Sequence, residues 1–164
     1  MKKLTLPLIL YAVLLFLCSC HNQSYGILKY QDKKINAECT LNGEYKISIK
    51  KDGQKREIGF LEPPSLAHIS FKIDGESVTG YAGALEIPFE SENVMGILAL
   101  SSIFSLGEEA LSTASVTEDG ETLEFLTEYG TYKLTLGKNE MPSNVQIYSP
   151  NYRYEITIDA IMIG

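Results

Sequence analysis

The sequence predicts a mainly β domain: one curved antiparallel sheet, an incomplete β-barrel, with a single principal helix across its concave face. Three observations predict it. Apolar residues recur at every second position: Tyr45, Ile47 and Ile49 alternate with Lys46, Ser48 and Lys50; Ile69, Phe71 and Ile73 with Ser70, Lys72 and Asp74; Tyr132, Leu134 and Leu136 with Thr131, Lys133 and Thr135. That period makes strands with one buried and one wet face. Between the runs stand Asn42-Gly43, Asp52-Gly53, Asp74-Gly75 and Asp119-Gly120, which supply the positive φ angles of tight hairpin turns. One segment, Glu92 to Leu106, breaks the alternation with a helical pattern.

In chain order, the first residues stand apart from that domain. Met1-Lys2-Lys3, the apolar run Leu4 to Leu17 and then Cys18-Ser19-Cys20 have the cationic head, apolar stretch and small residues of a secretory signal. The apolar run, with Pro7 inside it, falls short of the about 20 residues a membrane-spanning helix needs. Leu17-Cys18-Ser19-Cys20 resembles the bacterial lipobox, whose final cysteine is lipidated and becomes the new N-terminus. Residues 1–19 are therefore expected to be a lipoprotein signal peptide, Cys20 the lipidation site, 20–26 a polar tether and 27–164 a single half-barrel domain. A diacylglyceryl group and an N-acyl chain on Cys20 give the two hydrophobic anchors that stable attachment requires. The expected location is the extracytoplasmic face of the cell membrane.

Removing Lys2 and Lys3 with the signal takes the 14 basic residues to 12 against 21 acidic ones, so the formal charge moves from −7 to −9. Such a chain lacks the clustered cations that phosphate backbones require, and nucleic acid is not an expected partner. The one basic run, Lys46 to Arg56 with Lys50, Lys51 and Lys55, brackets Asp52-Gly53 and reads as a solvated hairpin tip. Cys39 remains as the domain's lone cysteine. It shares a strand face with Ile35, Ala37 and Leu41, as a buried small hydrophobe does.

The remaining elements follow from the same pattern. Strands are expected near 27–32, 35–41, 44–50, 55–61, 67–73, 77–88, 110–117, 122–128, 131–137, 143–149 and 152–161, too many to lie flat without curling. The helix near 92–106 has Ser91 as N-cap, Glu92 in its first turn and Gly107 where it would stop. Val94, Met95, Ile97, Leu98, Leu100, Ile103 and Phe104 go nearly all the way round it, so it should be buried on most sides. Small Gly96, Ala99 and Ser101 leave room beneath it. The helix reads either as a plug that fills the core and nothing more or as a lid over a groove; in the second case helix and sheet are expected to enclose an apolar pocket lined by Phe71, Leu85, Ile97, Leu98, Phe104 and Phe125, a dry hollow of the kind that takes up acyl chains.

Catalytic chemistry has little to work with. Nucleophilic catalysis needs a base beside its nucleophile, and the mature chain holds only His21, in the tether, and His68, which on the face opposite Ile69 and Phe71 is expected to be a surface histidine. No Cys/His grouping has zinc spacing, and Thr117-Glu118-Asp119-Gly120-Glu121 lacks the ligand spacing of a calcium loop. No catalytic residue, metal or cofactor is expected. Ten tyrosines and no tryptophan are present; Tyr148, Tyr152 and Tyr154 crowd the last hairpin, where they read either as ordinary strand composition or as a recognition patch.

Together, the lipobox-like signal, the alternating strands, Phe60-Leu-Glu-Pro-Pro-Ser-Leu66 leading into Ile69–Ile73, the mid-chain helix and the ending Gly130-Thr-Tyr-Lys-Leu134 … Met141-Pro142 … Val145-Gln-Ile147 … Tyr154–Ile158 resemble the lipoprotein-carrier half-barrels of the LolA/LolB type. The likeness is closest in style to small lipidated relatives in Gram-positive, spore-forming bacteria. The resemblance implies an incomplete barrel with a helix over its mouth and acyl chains bound in the hollow. Through some lipidated relatives it also implies an alternative, a lipidated scaffold that docks a cell-wall or spore-cortex enzyme or another envelope protein.

Overall fold

The computed structural model describes residues 30–87, 91–117, 122–137 and 140–164. Cys20, the tether and Asp119-Gly120 lie outside the described residues. Among the described residues the chain forms eleven strands: β1 (Ile35–Leu41), β2 (Tyr45–Asp52), β3 (Lys55–Glu62), β4 (Ile69–Asp74), β5 (Ser77–Ala82), β6 (Leu85–Ile87), β7 (Ser115–Val116), β8 (Thr122–Thr127), β9 (Gly130–Leu136), β10 (Pro142–Tyr148) and β11 (Arg153–Ile163). Helices α1 (Ser91–Ser101) and α2 (Glu108–Ser112), with a 3-10 turn at Ser102–Phe104 between them, join β6 to β7.

All strands belong to one sheet in the order β6-β5-β4-β3-β2-β1-β11-β10-β9-β8-β7, and every pairing is antiparallel. The sheet is not closed: its edges are β6 and β7. Strands successive in the chain are neighbours in the sheet except β6 and β7, and β11 pairs with β1, so the first and last strands meet mid-sheet. Only β6 to β7 must travel from edge to edge. The helical segment is that crossing, which puts it over the concave face, where α1 contacts β3, β4 and β5 and α2 contacts β8.

Alternation sorts the side chains as expected. Ile35, Ala37, Cys39 and Leu41, then Ile47 and Ile49, Ile58, Leu123, Phe125, Tyr132, Leu134, Val145, Ile147 and Ile156 are buried in one core. Along α1 and the 3-10 turn every residue from Gly96 to Phe104 is buried, in keeping with its all-round apolar surface. Burial of each large apolar side chain contributes roughly 1.5–3 kcal/mol, so this crossing segment belongs to the core rather than riding on it. Among the described residues no helix is long and apolar enough to cross a membrane.

Four local expectations are corrected. Residues 30–32 form a turn rather than the end of a first strand. The predicted strand 77–88 turns at Gly83, whose φ of +63° ends β5 and starts β6. The predicted helix 92–106 leaves α geometry after Ser101, because Ser101 Oγ donates to Leu98 O and Ser102 Oγ to Ala99 O, each at 2.9 Å, drawing those carbonyls away from the helical ladder. Gly107, expected as a helix stop, is instead the extended residue before α2, which occupies part of the predicted strand 110–117. A bulge in β11 at Asp159 shifts its register against β1; the extra carboxylate accepts hydrogen bonds from Thr40 Oγ1 and Lys46 Nζ, both at 2.8 Å.

Twist sets which ends of the sheet meet. Neighbouring strands rotate by roughly 20–25°, so the six steps from β3 through β2, β1, β11, β10 and β9 to β8 accumulate about 120–150°. The two walls therefore run in nearly opposite senses. The Glu128-Tyr129 turn of one wall comes over Gly53 and Gly75 of the other, and all of them line one cavity.

Candidate functional site

The space beneath the crossing helix has a filled floor and an open mouth. On the floor, Ile97, Leu98, Phe104 and Phe125 are buried in one cluster, with Phe71 half-buried against it. Phe125 stacks on Tyr132 with ring centroids 5.5 Å apart. Tyr132 reaches up to the helix end, its Oη 3.0 Å from Ala99 O and 2.8 Å from Ser102 Oγ. Five of the six residues predicted to line the hollow thus converge on one core. Leu85 does not. Its register opposite Ala82 gives it the concave side, but β6 is a three-residue edge strand, and Leu85 is 74% exposed.

The three tyrosines of the last hairpin are divided between faces. Tyr148 follows buried Ile147 and points outward, where Arg153 lies 4.9 Å from its ring centroid and its hydroxyl donates to Gln146 Oε1. Tyr152 and Tyr154 stack on each other at 5.3 Å on the concave side. There they face Gly96 so closely that a Cβ on that residue would lie 2.5 Å from Tyr154 Oη. Gly96, read as a source of space, serves as the contact point between α1 and β11.

The mouth holds two adjoining cavities. One, of about 640 Å³, lies between the α1–α2 linker and the β8–β9 turn and takes apolar surface from Leu106, Ala110 and Leu126. The second, of about 560 Å³, opens over the β2–β3 and β4–β5 turns and includes Lys51, Arg56 and Glu76. Both reach Ser102, Ser105, Gly107 and Tyr129, so together they form one trough around the linker. Their volumes fall within the roughly 300–1,000 Å³ of small-molecule sites. A further hollow of about 480 Å³ lies over Lys50, Lys55, Glu57 and Lys72, with Ile73 also in its lining.

Two cations stand inside this mouth. Lys51 and Arg56 are cross-strand partners on the face that carries Ile47, Ile49 and Ile58, one step beyond them. Lys51 is only 5% exposed; its ammonium donates to the carbonyls of Gln31 and Lys33, and burial lowers its pKa. Arg56 is half-buried, donates to Gly75 O, and likewise has its pKa lowered by burial. The basic run is therefore not simply a solvated tip: Lys50 and Lys55 face water, while Lys51 and Arg56 turn inward. The signal was present in the alternation itself, since continuing Ile47, Ile49 by two places reaches Lys51. Opposite them, Tyr129 is pushed up to about 12 by burial and its hydrogen bond to Glu128.

His68 is exposed, as expected. Cys39 is fully buried, and burial raises its thiol to about 12. Among the described residues no group of three His, Cys, Asp or Glu side chains is placed to hold a metal ion.

No protein-family model matches the sequence, and no curated protein matches it. Solved structures with a similar arrangement include an uncharacterized conserved protein from Thermus thermophilus, at 12% identity and a TM-score of 0.47, over 85% of this chain and 83% of that one. They also include a LolA superfamily protein from Nitrosomonas europaea, at 10% identity and a TM-score of 0.41, over 82% of this chain and 90% of that one.

Proposed function

We propose that this protein is a membrane-anchored extracytoplasmic lipoprotein, held through lipidated Cys20, whose half-barrel is a non-enzymatic binding module for a lipid or other apolar ligand. The observation that carries the reading is the trough at the mouth. It is concave and partly apolar, and it is walled by a segment that the topology forces across an unclosed sheet. Leu126, 70% exposed at the trough's rim, and half-buried Ala110 leave apolar surface for an alkyl chain to cover; each methylene so covered contributes about 0.8 kcal/mol. The deep core supports the trough rather than forming it, so the binding surface lies nearer the linker than the helix residues suggest.

The test is titration of the domain 27–164 with a fluorescent fatty-acid analogue. Saturable binding is expected, weakened by Leu126→Asp, a change at an exposed position that leaves the core intact. Absence of saturation, or no effect of Leu126→Asp, contradicts the reading. The anchor is tested separately: Cys20→Ala should abolish labelling by a radiolabelled fatty acid and release the protein from membranes. Retained labelling assigns the lipid elsewhere.

A further inference from the structure

Resting on the apolar-ligand reading, we propose that the ligand carries an oxyanion head group, a carboxylate or a phosphate, which Arg56 and Ser105 bind at the inner end of the trough while its chain runs past Gly107 toward Leu126. Arg56 Nε and Ser105 Oγ are both buried without a hydrogen-bond partner among the described residues, and both line the 560 Å³ cavity. Buried donors left unpaired are rare in folded proteins and call for a physical reason. Here two of them, one from β3 and one from the linker between α1 and α2, open on the same space.

Two cations, Lys51 and Arg56, and three carboxylates line the cavity, so what favours an oxyanion is the local partnering of Arg56 and not the net charge. Among the described residues Arg56 forms no ion pair, and the groups acting on it are the hydroxyls of Tyr129 and Tyr132. Of the three carboxylates that line the cavity, Glu128 bonds the Tyr129 hydroxyl, and none forms an ion pair with Arg56 among the described residues. A guanidinium presents several donors in a rigid fork suited to the paired oxygens of a carboxylate or phosphate. Gly75 O occupies only part of that fork. An incoming oxyanion would give Arg56 its missing counter-ion and Ser105 an acceptor, with buried Lys51 adjacent. The apolar surface of Leu106 and Ala110 continues from that point, so head and tail are met in sequence.

The experiment uses the full chain in membrane vesicles with three photoactivatable probes sharing one alkyl chain: the carboxylic acid, the monoalkyl phosphate and the neutral methyl ester. Crosslink yield on this protein is read by mass spectrometry. In the wild type at least one anionic probe should exceed the ester by about tenfold or more, the worth of a hydrogen bond to a charged group. A preference for the acid or for the phosphate tells a fatty acid from a lipid phosphate as the source of the head group. The ratio should fall to about one in Arg56→Gln, recover in part in Arg56→Lys, and drop severalfold in Ser105→Ala, a smaller change that keeps the test open should the glutamine variant fail to fold. Equal crosslinking of ester and anions, or ratios unmoved by these substitutions, overturns the head-group site while leaving apolar binding in place. No crosslinking by any probe overturns both.

Discussion

Replacing Gly96 by alanine sets two effects of similar size against each other, and the structure decides between them. Alanine is favoured over glycine inside a helix by about 1 kcal/mol. Its Cβ, however, would lie 2.5 Å from Tyr154 Oη. That ring has little freedom to give way, because it stacks on Tyr152, whose own hydroxyl donates to Tyr129 O. Overpacking of this kind costs about 1–3 kcal/mol, so Gly96→Ala should be net destabilising by about 1 kcal/mol. In a Tyr154→Phe background the nearest atom becomes the ring carbon at 3.5 Å, an ordinary contact, and the same alanine should now stabilise. The assay is urea unfolding of the four proteins, compared at constant m-value, as a double-mutant cycle. An alanine that stabilises equally in both backgrounds would show that α1 does not approach β11 as described.

Three further outcomes follow from buried and paired groups. Tyr132→Phe should lower stability by about 1–2 kcal/mol, read from the urea midpoint, because it removes the hydroxyl between Ala99 O and Ser102 Oγ; an unchanged midpoint would detach the helix end from β9. Cys39, with its thiol raised to about 12, should resist iodoacetamide at mildly alkaline pH and react on unfolding; rapid labelling of the native protein would contradict its burial. Hydrogen bonds from Lys46 and Thr40 depress the Asp159 carboxyl, so its contribution is present above the ordinary aspartate range and lost as pH falls through the depressed value. The stability difference between wild type and Asp159→Asn should therefore shrink in that acid window, and a difference that grows there would reverse the assignment.

The sheet was legible because alternation and hairpin turns are local signals: β1, β2, β4 and β9 stand where Ile35–Leu41, Tyr45–Ile49, Ile69–Ile73 and Tyr132–Leu136 place them. The helix was legible from its apolar surface, yet its end was not, since the competition of Ser101 and Ser102 for backbone carbonyls depends on burial. Leu85 was misplaced because alternation fixes a face and does not tell an edge strand from a covered one. The mouth was the least legible part. Arg56, Ser105 and Tyr129 are far apart in sequence and meet only through the accumulated twist of six strand steps, which no window of the chain displays. Lys51 was the exception, readable from Ile47 and Ile49 once the basic run was divided by face rather than taken whole.

Native mass spectrometry of the folded domain, released gently from membranes, tests binding of an apolar ligand most directly. A single adduct with the mass of a lipid or fatty acid is expected, lost on organic extraction and regained on adding the free compound, with the protein folded throughout. Domain that stays unliganded in the presence of excess fatty acid and phospholipid, while an envelope enzyme is recovered with the full chain, would contradict it and make the chain a docking scaffold.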